Sequence, residues 1–210
     1  MSESRLDRAR AVLAAAEEAA SSAAGGRHPS SAPRGSGGAP PVPDLVDLDD
    51  ADATAQARQI VLRQLAAAPR SRAQLEDKLA AKDVDPEVAA AVLDRFAEVG
   101  LVDDEAYAEM LVRSQQESRG LARRGLANEL RKKGIDPDTA ADALSTVDPE
   151  SERARAEDLV QARLRRLHGL PKDVQMRRLG GMLARKGYPA DLSYGVIRDA
   201  LRAAEEHLRD

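Results

Sequence analysis

The stretch GLVDDEAYAEMLVRSQQESRGLARRGLANELRKKG, residues 100–134, decides how this chain folds. It opens on Gly100, a residue type that closes helices by taking a left-handed backbone. Asp103-Asp104-Glu105 then offers a cap and acids for the positive first turn of a new helix, about 105–118. A further helix, about 121–133, carries Leu126 and Leu130 on its inner face and stops at Gly134. The charge of the chain reverses here as well. From Arg113 to Lys133 there are seven basic residues (Arg113, Arg119, Arg123, Arg124, Arg131, Lys132 and Lys133) and two acidic ones (Glu117 and Glu129). The local net charge is +5 in a chain whose formal net charge is −4.

The same grammar extends outward in both directions. LAAKDVDPEVAAAVL (79–93), LRKKGIDPDTAADAL (130–144) and LARKGYPADLSYGVI (183–197) align so that Leu79, Leu130 and Leu183 match, as do Lys82, Lys133 and Lys186. Asp83 stands where Gly134 and Gly187 supply the turn. Upstream, Leu75, Leu126 and Leu179 keep the register, at offsets of 51 and 53 residues. Each copy predicts three helices: a longer one (about 55–68, 105–118 and 152–167), a middle one, and a third begun by an acid or proline cap. In the first copy Ala57, Val61, Leu65 and Ala68 share a face. Ser71 and Gln74 have capping-box spacing, and Asp85-Pro86-Glu87 starts the helix that carries Val88, Val92, Leu93 and Phe96. The expected architecture is all-α: three tandem three-helix repeats at 55–101, 102–148 and 149–210, forming an elongated, curved array. Residues 1–54, rich in glycine, proline and serine and then acidic, are expected to be a disordered extension.

Composition narrows the function classes. The apolar content is largely alanine, and the aromatic residues are only Phe96, Tyr107, Tyr188 and Tyr194, so thin local cores are expected. Packing is the default for Tyr188, whereas Tyr194 is open to either core or surface. Without cysteine there is no disulfide framework and no thiolate metal site. No window is long and apolar enough to span a bilayer, and MSESRLDRAR lacks the apolar core of a secretory signal, so the expected address is the cytoplasm. Residues 1–57 hold nine acids and five bases, which leaves the remainder neutral on average.

No nucleotide-binding or catalytic motif emerges. GSGG (35–38) lacks the Lys-Ser/Thr of a phosphate loop, and His28, His168 and His207 are scattered. Asp103, Asp104 and Glu105 have the position of helix caps more than of a cation site. The chain is therefore expected to be no enzyme, with neither cofactor nor metal. On the helix at 121–133, Arg124, Asn128 and Arg131 follow i, i+4, i+7 spacing opposite Leu126 and should be exposed. Lys132 and Lys133 match the helix dipole, but Arg113, Arg119, Arg123 and Arg124 go beyond what the dipole needs. An anion-binding face for phosphate backbone or for an acidic protein is the functional expectation. Scarce aromatics disfavour base stacking.

RSRAQLEDKLAAK (70–82), GLVDDEAYAEMLVR (100–113), GLARRGLANELRKKGID (120–136) and LARKGY (183–188) together resemble the RecX regulators of the bacterial recombinase RecA. The resemblance covers roughly residues 55–208. Asp83 replaces a common glycine, Tyr107 stands where phenylalanine is usual, and residues 1–54 have no counterpart. The resemblance implies a non-enzymatic modulator that binds RecA and its filament on single-stranded DNA. It would restrain ATP hydrolysis and strand exchange in recombination, DNA repair and the SOS response. Arg113, Arg119, Arg123, Arg124, Arg131, Lys132 and Lys133 would meet the filament or its DNA phosphates in a monomer that makes weak direct contact with DNA and none with membranes. Two alternatives stay open: a competitor for single-stranded DNA, and a helical-repeat adaptor for another acidic partner.

Overall fold

A computed structural model describes the backbone of residues 45–206 and the side chains of residues 51–204. The chain divides into two units, Met1–Ala51 and Asp52–Asp210. Of the first, the described part is the helical backbone from Leu45. The remainder of the expected disordered extension, 1–44, lies outside the described residues. Among the described residues there are nine α-helices and no strand. They are α1 (Leu45–Ala67), α2 (Arg72–Ala80), α3 (Pro86–Glu98), α4 (Asp104–Arg119), α5 (Arg123–Lys132), α6 (Pro137–Ser145), α7 (Pro149–Leu164), α8 (Lys172–Lys186) and α9 (Ala190–Glu206). Taken in threes, they are the three-helix repeats that the spacing of leucines and turns predicts.

Two expectations about α1 need correction. The helix starts at Leu45, not near 55, so residues 45–54 are helical. Acids suit the first turns of a helix, and alanine continues them. Its inner face is Ala57, Ile60 and Val61, with Leu65 half-buried, whereas Ala68 lies beyond the helix end and is exposed.

The local stop and start signals act as their chemistry dictates. Ser71 accepts from the Gln74 N–H, while the Gln74 side chain accepts from the Ser71 N–H, completing the capping box. Asp85, Asp103, Asp136 and Asp148 each accept first-turn N–H groups, and Pro86, Pro137 and Pro149 follow three of them as opening residues. Each repeat buries its own small cluster. Leu75, Leu79, Val92, Leu93 and Phe96 centre the first, Leu111, Leu126, Leu130 and Leu144 the second, and Val160, Leu179, Leu183 and Ile197 the third. Two residues cross the repeat boundaries: Val102 closes the first core and Ala122 the third.

Neighbouring repeats meet through one junction used twice. The Ser71 hydroxyl, at the start of α2, donates to the Lys133 carbonyl at the end of α5 (2.6 Å). At the equivalent place the Ala122 N–H, at the start of α5, donates to the Lys186 carbonyl at the end of α8 (3.0 Å). The start of each middle helix thus abuts the end of the next one. Gly134 and Gly187 sit at these contacts with φ of 70° and 90°. A Cβ on Gly134 would overlap Ala73, and one on Gly187 would overlap the backbone of Gly125. Both sites therefore exclude a side chain by conformation and by space. Asp83, with φ 57°, holds the matching position in the first repeat, where it is exposed and no earlier repeat packs on it. Only the conformational demand remains there, and aspartate tolerates it.

Candidate partner-binding face

The basic residues of the second repeat occupy α4, the turn after it, and α5. Arg113, on the outer side of α4, lies 3.6 Å from Glu109 one turn earlier. Arg119 closes α4, bonds to Gln115 and lies 3.8 Å from Glu129. Gly120 then turns left-handed, φ 59°, and delivers Arg123 and Arg124 into the first turn of α5. Lys132 pairs with Glu129 at 3.1 Å, so this one carboxylate draws on both Arg119 and Lys132. Arg131 donates to Asn128 at 3.1 Å. Arg123, Arg124 and Arg131 are exposed, as the helical spacing of the last two predicts, and among the described residues their side chains have no acidic partner. Lys133 is half-buried as the C-cap of α5, and its carbonyl is committed to the first junction. The structure therefore divides the seven: three are partly neutralised, one is structural, and three are available to an outside anion.

Local chemistry leaves the start of α5 short of an acceptor, because Ala122 has no side-chain oxygen. The acceptor comes from the third repeat, where Glu152 of α7 takes the Arg123 N–H at 3.0 Å. Glu152 is buried, so this bond fixes the approach of α7 to α5. Asp104 performs the same task at the first junction by accepting the Arg72 N–H at 2.8 Å. Burial raises the Asp104 carboxyl above the usual carboxylate range, and the Arg72 hydrogen bond opposes that shift. Tyrosine hydroxyls span both junctions. Tyr107 donates to Gln74 at 3.1 Å, and Tyr188 to the Gly120 carbonyl at 3.1 Å. Burial pushes the Tyr188 phenol up to about 12. Lys186 donates to the Arg119 carbonyl, and burial followed by the nearby Arg119 charge lowers its pKa.

A second basic run lies in the third repeat and is missed when attention stays on 113–133. Residues 163–186 carry Arg163, Arg165, Arg166, Lys172, Arg177, Arg178, Arg185 and Lys186 against the single acid Asp173, a net +7. All but Lys186 are exposed. Counting charge along the whole chain finds this run, but leucines and glycines break it across three elements, so it has no helical period. Arg185 joins Arg124 and Asn128 along one groove, which carries the basic face across the second junction. Tyr188 is core, while Tyr194 is 56% exposed beside Arg198. Among the described residues no cluster of three or more acids or histidines could hold a metal ion, and no helix is long and apolar enough to cross a membrane.

Models of the first, second and third three-helix domains of RecX match residues 57–96, 103–144 and 150–201. The chain is 51% identical over 152 residues to the regulatory protein RecX of Thermobifida fusca (strain YX), covering 72% of this chain and 82% of that protein. Against the regulatory protein RecX of Mycolicibacterium smegmatis (strain ATCC 700084 / mc(2)155) the identity is 44% over 185 residues, covering 86% and 98%. A crystal structure of a regulatory protein RecX superposes with a TM-score of 0.66 at 26% identity, covering 74% of this chain and 76% of the other. Three domain matches in the right order, on a fold whose junction repeats at each equivalent position, place the chain in the RecX family of regulatory proteins.

Proposed function

We propose that the chain binds the RecA recombinase and its filament on single-stranded DNA, and restrains ATP hydrolysis and strand exchange there. It acts as a cytoplasmic, monomeric regulator and not as an enzyme. The observation that carries this reading is the set Arg123, Arg124 and Arg131: exposed, without acidic partners among the described residues, and held on a helix tied to both neighbouring repeats. Such guanidinium groups meet carboxylates or phosphates in paired hydrogen bonds without first breaking an internal ion pair. Membership of the RecX family supports the recombinase as that partner, which is what the resemblance to RecX regulators implies.

The test is the single-stranded-DNA-dependent ATP hydrolysis of the cognate recombinase, titrated with this protein beside a binding assay on bare DNA. Inhibition well below one protein per recombinase, where bare DNA is hardly bound, is the expected result. Arg124→Glu combined with Arg131→Glu should lower inhibitory potency at least about tenfold with native circular dichroism, since each site changes from attraction to repulsion. Full potency in that variant would remove these residues from the face. A second reading, competition for single-stranded DNA, draws on the +7 run at 163–186. It requires inhibition only when the DNA is saturated, with affinity falling steeply as salt rises.

A further inference from the structure

The second junction holds two cavities that share Arg124, Gly187 and Pro189, one of about 510 Å³ and the other of about 560 Å³. Their walls differ in chemistry. The first is mostly aliphatic, lined by Ala127, Leu144, Val147 and Leu192 together with Arg123, Arg124 and Glu152, whose carboxylate accepts the Arg123 N–H. The second is mixed, with Arg124, Asn128, Arg185 and Ser193 set beside Met176, Tyr188, Tyr194 and Ile197. The Arg185 guanidinium folds back along α8 toward Gly181, where an added Cβ would lie 3.4 Å from it, an ordinary contact. Ser193 is only 7% exposed, yet its hydroxyl has no hydrogen-bond partner. A buried hydroxyl without a protein partner is costly unless an ordered water or a ligand supplies one. The Tyr194 ring has the Arg198 guanidinium 6.0 Å from its centre, which adds a further cation at this edge.

We infer that this paired groove seats an extended acidic peptide of a protein partner, with one aliphatic side chain in the first cavity and carboxylates on Arg124 and Arg185 in the second. The aliphatic cavity separates a peptide from a nucleic acid. No aromatic side chain lines it, so it gives a base nothing to stack on, and a phosphate backbone would leave it unfilled. A leucine- or isoleucine-sized side chain enters such a cavity with room to spare, and Arg123 and Arg124 beside it select acids next to that anchor. The inference rests on the reading of Arg123 and Arg124 as partner-binding residues, and it gives the chemistry of the segment they bind.

The probe is a short fluorescein-labelled peptide alternating aspartate with leucine, followed by anisotropy on the full chain. Polyaspartate and single-stranded oligothymidine serve as comparators. The aspartate–leucine peptide should bind about tenfold or more tightly than polyaspartate, and Arg185→Glu should weaken it by a similar factor while circular dichroism stays native. Equal binding of the two peptides, indifference to Arg185→Glu, or displacement by oligothymidine with the same Arg185 dependence would each overturn the peptide site. The assay contains no recombinase. A chain that binds the peptide through Arg185 but never inhibits recombinase keeps the groove and loses the functional reading. A chain that inhibits but does not bind the peptide loses the groove alone.

Discussion

Single residues at the junctions serve two purposes each, and substitutions separate them. Gly100 and Gly134 both have a left-handed backbone, but only Gly134 faces a neighbour, Ala73. Gly100→Ala should therefore cost about 1–2 kcal/mol, the conformational term alone. Gly134→Ala adds overpacking of about 1–3 kcal/mol and should loosen the first repeat from the second, as urea unfolding would register. Asp104 separates hydrogen bonding from charge. Asp104→Ala should lose about 1 kcal/mol with the acceptor for Arg72, whereas Asp104→Asn keeps an acceptor and should stay close to the parent. Because burial raises this carboxyl, the folded chain holds its proton to higher pH than the unfolded chain does. Parent stability relative to Asp104→Asn should thus fall as pH rises from the ordinary carboxylate value through the folded one, and stay level above it.

Among the helices, α5 carries the exposed Arg123, Arg124 and Arg131 and has no side-chain cap of its own. Glu129 restrains the face it sits in by holding Arg119 and Lys132. Glu129→Gln should raise affinity for the recombinase filament about two- to fivefold in a sedimentation or interferometry assay, while stability changes by less than about 0.5 kcal/mol. What the sequence makes legible in these helices is local. Ser71 with Gln74, the Asp-Pro starts and the leucines at 51- and 53-residue offsets encode caps and cores within a few residues of one another. Contacts between distant positions are not legible in that way. Nothing near Ala122 announces that Glu152 will cap α5, and nothing near Arg72 points to Asp104. The early start of α1 escapes for another reason, since LVDLDDADAT has helix-forming residues but no apolar stripe to betray a period. Of the basic face, spacing foretells the exposure of Arg124 and Arg131. The Lys132–Glu129 pair, three residues apart on one helix, is readable from spacing, but the approach of Arg119 to Glu129 depends on how α4 and α5 cross, which spacing does not encode.

At the scale of the three repeats, stability is a sum of small cores and the interfaces that join them. Tyr188 ties one such interface to the pH of its surroundings. Its phenol titrates near 12 in the fold, above the ordinary tyrosine value, so its contribution is complete below about pH 10 and is lost as pH rises toward 12. Tyr188→Phe should melt slightly earlier at neutral pH for want of the Gly120 bond, and should lack this part of the alkaline fall when thermal melts are compared across pH. The repeated junction has a further consequence, lodged in Asp83. An interface that joins the head of one unit to the tail of the next has no natural end, and copies of a protein that present both halves grow into fibres. Gly134 and Gly187 are receptive tails, but the tail of the first repeat carries a charged side chain where an incoming head would need bare backbone. The last middle helix, α8, runs 15 residues against 10 in α5, which leaves the residue equivalent to Ala122 inside a helix instead of at its start. Both ends of the series thereby differ from the faces that meet inside it, as end groups differ from the links of a polymer: neither Asp83 nor the start of α8 repeats the geometry of the inner contact.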